Sequence, residues 1–294
     1  MAIRLPFPIT LGSNLGLMPE LPEVEHIARS LNTLVTGRRI VSARLLRDRL
    51  APDSKPATFA KLLKNTSINF VHRRGKHLLF DLDNGRTLIT HLRMTGSFAL
   101  LSIDVGDPKF THAVFYLDDE SRLVFSDQRH FGLMKIVETK KLYDAPELAK
   151  LAPEPFSEEF DIEYVRKTLK RSNRQIKEVL LDQTRFCGLG NIYAVEALFH
   201  AGIDPRTVSA RVSSRKVPSL HASIQLVLHE AIEHGSSISV NPENLEQTYF
   251  NGDSNTEWQV YDREGSGCRR CNSPIKRIKQ GGRSTFYCSK CQRK

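Results

Sequence analysis

Apolar positions change period along this chain, and the changes divide it. Leu21, Val24, Ala28, Leu31 and Val35 recur at helical spacing, with Pro22 suited to a first turn and Gly37 placed to end the helix. From about residue 69 to 137, short apolar runs alternate with turn signals. "HLLFDLDNGRTLITHL" reads strand, Asp-Asn-Gly turn, strand, and "AVFYLDDESRLVF" repeats the pattern. The region predicts antiparallel β-structure led by one helix. Residues 141–158 hold three prolines and read as a linker. Beyond it, helical patterns at about 161–170, 174–184, 191–202 and 218–234, joined by short breaks, predict a helical unit. There is no internal repeat and no low-complexity tract.

Length and charge sharpen this outline. A chain of 294 residues has room for two or three compact units with separate cores. The apolar share of 40% is ordinary. No apolar run approaches the roughly 18 residues of a membrane span, so no membrane partner is expected. Against 33 Asp+Glu stand 43 Lys+Arg, a formal charge of +10, which suits a polyanion and, more weakly, an anionic membrane surface. The excess is concentrated: between Arg263 and Lys294 ten basic residues face one acid, Glu264. A run this dense beside ordered cysteines points to a phosphate-binding surface over a merely solvated face.

Four of the five cysteines fall in the last 27 residues, as "CRRC" and "CSKC": Cys268, Cys271, Cys288 and Cys291. Each C-x2-C knuckle aims two thiolates at one ion, and four thiolates complete a tetrahedral Zn2+ shell. With no open coordination position, such an ion holds a fold together and does no chemistry. Two disulfides in a secreted domain would be the alternative, but residues 1–17 have no secretory-signal pattern. Between the knuckles, Gly281 and Gly282 allow a tight hairpin presenting Arg283, to a phosphate or to solvent.

A second signal is "CGLGNIYAVEALF", a glycine-rich break opening onto a helix near Asn191. Backbone N–H groups at a helix start attract anions, and two glycines let a phosphate approach. The spacing also fits a mononucleotide site or a plain helix–turn–helix corner. Cys187 in this stretch reads as a small buried residue more than as a nucleophile.

Set in order, "MPELPEVE" (18–25), "RRGKHLLF" (73–80), "HLRMTG" (91–96), "DQRHFG" (127–132), "GLGNIYAVEAL" and the terminal cysteine pattern resemble the formamidopyrimidine-DNA glycosylase/endonuclease VIII family. The formamidopyrimidine branch matches better. The resemblance implies a multidomain α+β fold: an N-terminal antiparallel β-sandwich with a leading helix, a helix-two-turn-helix domain and a zinc-ribbon-like β-hairpin. The expected boundaries are an extension at 1–17 absent from the active protein, a catalytic domain at 18–140, the linker at 141–158, a DNA-binding domain at 159–248 and a zinc finger at 249–294.

It also implies a bifunctional DNA glycosylase/AP lyase of base excision repair. Members extrude an oxidised base, attack the sugar C1′ through an N-terminal proline amine, and cut the strand by β,δ-elimination. Pro19 is then the nucleophile, which requires that Met18 and everything before it be gone, because an amide nitrogen has no usable lone pair. The chemistry favours an α-amine: pKa values of about 8 against about 10.4 make its free fraction near neutrality a few hundred times that of a lysine, an advantage that proline's own basicity trims. Glu20 is implied as the proton donor and Glu23 as its support, although both acids also suit a helix N-terminus.

By the same resemblance Lys76 and Arg283 contact phosphate and assist the reaction, and Asn191 binds phosphate. Met94, Arg129 and Phe131 fill the gap left by the extruded base. His91 and Lys177 contact DNA. Taken singly, Lys76 would read as a surface lysine, and Met94 and Phe131 as core. The implied partner is duplex DNA carrying oxidised bases or abasic sites, acted on by a monomer inside the cell, with one structural Zn2+.

Three features depart from the family pattern: "DQRHFG" in place of D-P-R-R-F-G, a short segment at 250–261 where the family covers the extruded purine, and the extension itself. Two rival readings remain. One is a non-catalytic damaged-DNA binder on the same scaffold, silent because Pro19 stays in an amide. The other is a zinc-ribbon RNA-binding or transcription factor, which leaves the Pro-Glu opening unexplained.

Overall fold

The structure, a computed structural model, describes residues 18–234 and 258–294. The expected extension at 1–17 and most of the 250–261 segment lie outside the described residues. Helix α1 (Leu21–Val35) forms where the apolar spacing predicts it, with Pro22 in its first turn. It turns Val24, Ile27, Ala28, Leu31 and Val35 into the core of the sheet that follows.

That sheet has eight antiparallel strands: β1 (Arg39–Leu45), β2 (Thr66–Arg74), β3 (His77–Leu82), β4 (Arg86–His91), β5 (Gly96–Ser102), β6 (Thr111–Leu117), β7 (Ser121–Asp127) and β8 (Leu133–Glu138). Their order is β5-β7-β6-β1-β2-β3-β4-β8. β1 and β2 share only the pairs Arg39↔Ser67 and Ile40↔Thr66. The sheet folds over at this narrow seam, and one apolar core, including Phe59, Phe80, Phe98, Phe115 and Phe125, takes residues from both halves.

The apolar pattern missed β1 and the helix α2 (Pro56–Leu63) that follows it. β1, "RIVSARL", exposes Arg39, Val41 and Arg44 while burying Ile40, Ala43 and Leu45, so its polar face interrupts any apolar run. The proline-rich segment is also more ordered than a linker. It holds helix α3 (Pro146–Ala149), and Leu142, Ala145 and Leu148 cover Leu79 and Ile89 on the outside of the sheet.

The helical unit comprises α4 (Ile162–Lys170), α5 (Ile176–Leu180), α6 (Asn191–His200) and α7 (Val217–His234). Helix α5 stops at five residues, well short of the predicted 174–184, because the chain leaves it to build the turn that leads into α6. Ile192 to Phe199 are all buried, so α6 is the axis of its unit. Leu21 of α1 packs into this second core, which ties the two units at the chain's Pro-Glu segment. At the end, β9 (Lys276–Gln280) and β10 (Arg283–Tyr287) form the expected hairpin. Its tip, Gly281 and Gly282 with φ of +51° and +79°, needs the left-handed backbone that a two-residue turn demands.

Candidate active site

Glu20 sits at the N-cap of α1 and its carboxyl reaches across to a different helix. Oε2 accepts from Gly190 N at 2.6 Å and Tyr193 N at 3.4 Å, and Oε1 accepts from Ile192 N at 2.9 Å. These are unsatisfied donors at the start of α6, where the helix dipole favours negative charge. The glycine-rich break is therefore an anion site, as its sequence indicated, but the anion filling it is the chain's own Glu20. The approach is close enough to dictate the glycines. A Cβ on Gly190 would lie 2.2 Å from Glu20 Cδ, and one on Gly188 (φ +83°) would lie 2.4 Å from Leu21 Cδ1.

Glu23 lies one turn on and is buried. Its Oε2 accepts from Glu20 N at 2.8 Å and its Oε1 accepts from the Tyr193 hydroxyl at 2.7 Å. The acids of the opening segment thus do cap a helix, and they also fix its first turn against α6.

Lys76, in the turn between β2 and β3, is 8% exposed and donates to Leu189 O at 2.8 Å. Burial holds its pKa below the usual lysine value, while Glu20, Cys187 and Glu23 oppose that and Arg283 adds to it. Burial likewise lifts the Glu20 carboxyl from its ordinary 4.5 to about 7; Lys76 and the α6 N–H groups restrain the rise and Glu23 adds to it. An acid and an amine drawn toward neutrality by one water-poor site form a pattern typical of proton-transfer chemistry.

The turn bearing Lys76 is pinned from the proline-rich segment. Glu154 accepts from Arg73 Nη1 at 2.6 Å, Arg74 Nη1 at 2.8 Å and Gly75 N at 2.6 Å. Cys187 packs beneath Gly75, and burial pushes its thiol up to about 11, a poor state for a nucleophile. Gln183 braces the neighbouring loop, donating to Leu189 O and accepting from Gly188 N.

Arg283 is exposed at the hairpin tip, near enough to Lys76 and Lys177 to lower the pKa of both. Lys177 is placed otherwise than the resemblance implied. It is fully buried, and its ammonium donates to Ser284 O at 2.9 Å and Thr285 Oγ1 at 2.6 Å. In the DNA-free chain Lys177 thus ties α5 to the hairpin behind Arg283. Asn191 opens α6, and its side-chain oxygen is buried without a hydrogen-bond partner.

The other residues singled out in the sequence lie at the end of the sheet. His91 closes β4 and accepts at Nδ1 from Arg93 N at 2.9 Å. Burial, then His77, Arg93 and Lys76, hold its pKa well below 6.5, so it is a neutral Nε2–H donor. Met94 is half-buried in the loop after β4; Arg129 and Phe131 are exposed, with the guanidinium over the ring at 5.3 Å.

Sequence reasoning passed over Tyr193 and Glu196, which look like core positions in an apolar helix. Glu196 accepts from the N–H groups of Gln259, Val260 and Tyr261 and so anchors the chain as it enters the zinc domain. An acid in "YAVEALF" was the available signal.

The four thiolates converge as the spacing requires. Their sulfurs lie within 4.8 Å of one another, with Cys268–Cys291 at 3.8 Å and Cys271–Cys288 at 3.5 Å. A tetrahedral ZnS4 centre with Zn–S of about 2.3 Å has edges of about 3.8 Å. The donor set fits one structural Zn2+.

A sandwich, a helical unit and a zinc hairpin that converge on one buried Glu–Lys pair, with Arg129 and Phe131 exposed alongside, fit the class of DNA-repair glycosylases. Models of three families match in order: the formamidopyrimidine-DNA glycosylase N-terminal domain at residues 18–134, its H2TH domain at 151–242, and the zinc finger found in FPG and IleRS at 265–293. Formamidopyrimidine-DNA glycosylase of Desulforamulus reducens is 38% identical over 282 residues, covering 94% of this chain and 99% of its own. That of Bacillus licheniformis is 40% identical over 285 residues, covering 94% and 100%. Lactococcus lactis Fpg bound to DNA containing N7-benzyl-Fapy-dG superimposes with a TM-score of 0.86 at 35% identity, covering 94% of this chain and all of that one. MutM bound to DNA containing carbocyclic 8-oxo-G gives 0.85 at 34%, with the same coverage. The chain belongs to the formamidopyrimidine-DNA glycosylase family.

Proposed function

We propose that this chain excises oxidised, mainly purine-derived bases from duplex DNA and then cleaves the abasic strand, with Pro19 as nucleophile. The observation that supports this reading is that Glu20, the residue after Pro19, meets the α6 N-terminus and lies near enough to Lys76 to act on its charge. The free amine attacks C1′ of the damaged nucleoside and the glycosidic bond breaks toward the base. Glu20 supplies the proton that opens the sugar at its ring oxygen, which leaves an iminium on Pro19. The iminium acidifies C2′, and successive loss of the 3′ and 5′ phosphates is β- and then δ-elimination.

Lys76, Asn191 and Arg283 surround this centre, where a DNA phosphate would complete the charge balance. Glu23 and Tyr193 hold the opening segment in place. The zinc, bound by Cys268, Cys271, Cys288 and Cys291, supplies structure by fixing the hairpin that carries Arg283, and takes no part in the reaction. Freeing the Pro19 amine would set a cation beside Glu20 and draw its pKa down from about 7.

The relatives solved with DNA carry abasic sites, formamidopyrimidine lesions, 8-oxo-G and an oxidised pyrimidine, which marks the substrate range to test first. On this reading chemistry falls to the unit expected at 18–140 and DNA grip to those expected at 159–248 and 249–294. Among the described residues no helix is long and apolar enough to cross a membrane, and we place the protein with DNA inside the cell.

Borohydride reduction on an abasic-site oligonucleotide, with the N-terminus determined by mass, tests the reading. A covalent complex formed only by protein beginning at Pro19 is expected. Trapping by protein that retains Met18 would remove Pro19 from the mechanism. Failure of both forms to trap, with lesion binding intact, would leave the binder reading in force.

A further inference from the structure

Asp127 ends β7 beneath the turn that displays Arg129 and Phe131, and it is 1% exposed. Its Oδ2 accepts from Phe131 N and Gly132 N, both at 2.7 Å. Its Oδ1 accepts from Arg129 N at 3.1 Å and from the Thr95 hydroxyl. Thr95 directly follows Met94, and its own oxygen accepts from Arg129 N at 3.0 Å. One carboxylate thus closes a loop between β4 and β5 onto a turn between β7 and β8.

The surroundings leave this arrangement little freedom. Gly96 and Gly132 flank the Phe125 ring so closely that a Cβ on either would come within 2.8 Å of it. Arg93 and His130 are held at φ of +58° and +60°, conformations that a non-glycine residue keeps only when its neighbours enforce them. Burial alone would raise the Asp127 pKa, but the bonds from Thr95, Gly132, Arg129 and Phe131 outweigh it and keep the carboxyl below its ordinary value. The group is an anion at neutral pH with every strong contact directed at these two segments.

We infer that Asp127 is the positioning residue that joins Met94, Arg129 and Phe131 into a single rigid wedge, and that base extrusion from duplex DNA depends on it. The inference deepens the proposed function and rests on it. Extruding a base requires side chains to enter the stack together as the base leaves. Three side chains on two independent loops would have to be ordered at that moment, and a wedge locked beforehand avoids that cost. Thr95 is the second half of the lock, because its hydroxyl ties the Asp127 carboxylate to the residue beside Met94, next to the Gly96–Asp127 strand pairing.

The test compares wild type, Thr95→Ser, Thr95→Val and Asp127→Asn, each confirmed by mass to begin at Pro19. Single-turnover excision is measured on a duplex with one 8-oxoguanine, with 2-aminopurine opposite the lesion to report wedge entry. Borohydride trapping on a single-stranded abasic oligonucleotide, which needs no extrusion, is measured in parallel. Asp127→Asn turns an amide donor toward backbone donors and is expected to slow duplex excision by about 100-fold, the scale of a misplacement of about 1 Å. Thr95→Val is expected to slow it about tenfold, Thr95→Ser to restore it, and the 2-aminopurine signal to follow the same order. Single-strand trapping should stay within about threefold for all four, since it needs the Pro19 amine and Glu20 but no extrusion from a stack. Duplex excision by Thr95→Val and Asp127→Asn at the wild-type rate overturns the inference, as does a parallel loss of single-strand trapping. If wild type itself fails to trap, the catalytic reading beneath falls instead.

Discussion

Replacing Glu20 with Gln separates what this residue does for the fold from what it does for the reaction. In the fold, its two oxygens receive three N–H groups of the α6 start, at 2.6, 2.9 and 3.4 Å. Gln offers one oxygen, so at least one buried N–H faces an amide donor, at a cost of about 1–3 kcal/mol. Against that stands the burial of the charge. With Met18 retained, the rise from 4.5 to about 7 corresponds to about 3.5 kcal/mol at ~1.4 kcal/mol per pH unit, and a free Pro19 amine makes it smaller. Because the folded-state pKa is the raised one, the contribution of Glu20 to stability is greatest below pH 4.5 and declines until the group is fully ionised above pH 7. Glu20→Gln removes that decline. Thermal melts should show the variant less stable than wild type at pH 5 and within about 2 kcal/mol of it at pH 8. The reaction cannot be compensated in this way. Loss of the proton donor should lower single-turnover excision of 8-oxoguanine from duplex DNA by about 100- to 10,000-fold. Excision within tenfold of wild type at pH 6 by a variant that melts normally would refute the assignment of Glu20 as the acid.

Other perturbations probe the remaining parts. Cys288→Ser should bind no zinc by atomic absorption and lose the ordered hairpin, with abasic-strand cleavage falling because Arg283 is no longer held. Gly190→Ala places a methyl 2.2 Å from Glu20 Cδ and should destabilise the protein by about 1–3 kcal/mol in urea melts, with excision lost beyond that expected from unfolding. Arg283→Ala should weaken duplex binding and reduce the slope of log affinity against log salt by about 0.9, as for one lost phosphate contact; an unchanged slope would count against that contact.

Much of the site was legible because its chemistry needs particular residue types at short spacing. Two C-x2-C knuckles admit few uses, and the Gly281–Gly282 tip follows from a turn that requires left-handed backbone. The helix at residues 21–35 was equally open to reading, because one face of a 3.6-residue period had to be apolar. β1 escaped because a half-exposed strand interleaves its arginines with its core residues. The bond of Lys177 to the carbonyl of Ser284 was not legible, because a lysine's sequence neighbours do not show which distant segment its ammonium meets.

By itself the sequence determined the four zinc-binding cysteines, the concentration of positive charge in the tail and the class of each unit. These depend on local geometry or on side-chain chemistry that travels with the residue. Only the tertiary structure decided which anion occupies the start of α6, which cation is buried and which is presented, and that Asp127 joins two loops. Those outcomes depend on contacts between segments distant along the chain, and on the burial they produce. Burial sets both the cost of a charge and the need for a partner, and neither can be read from neighbours in sequence.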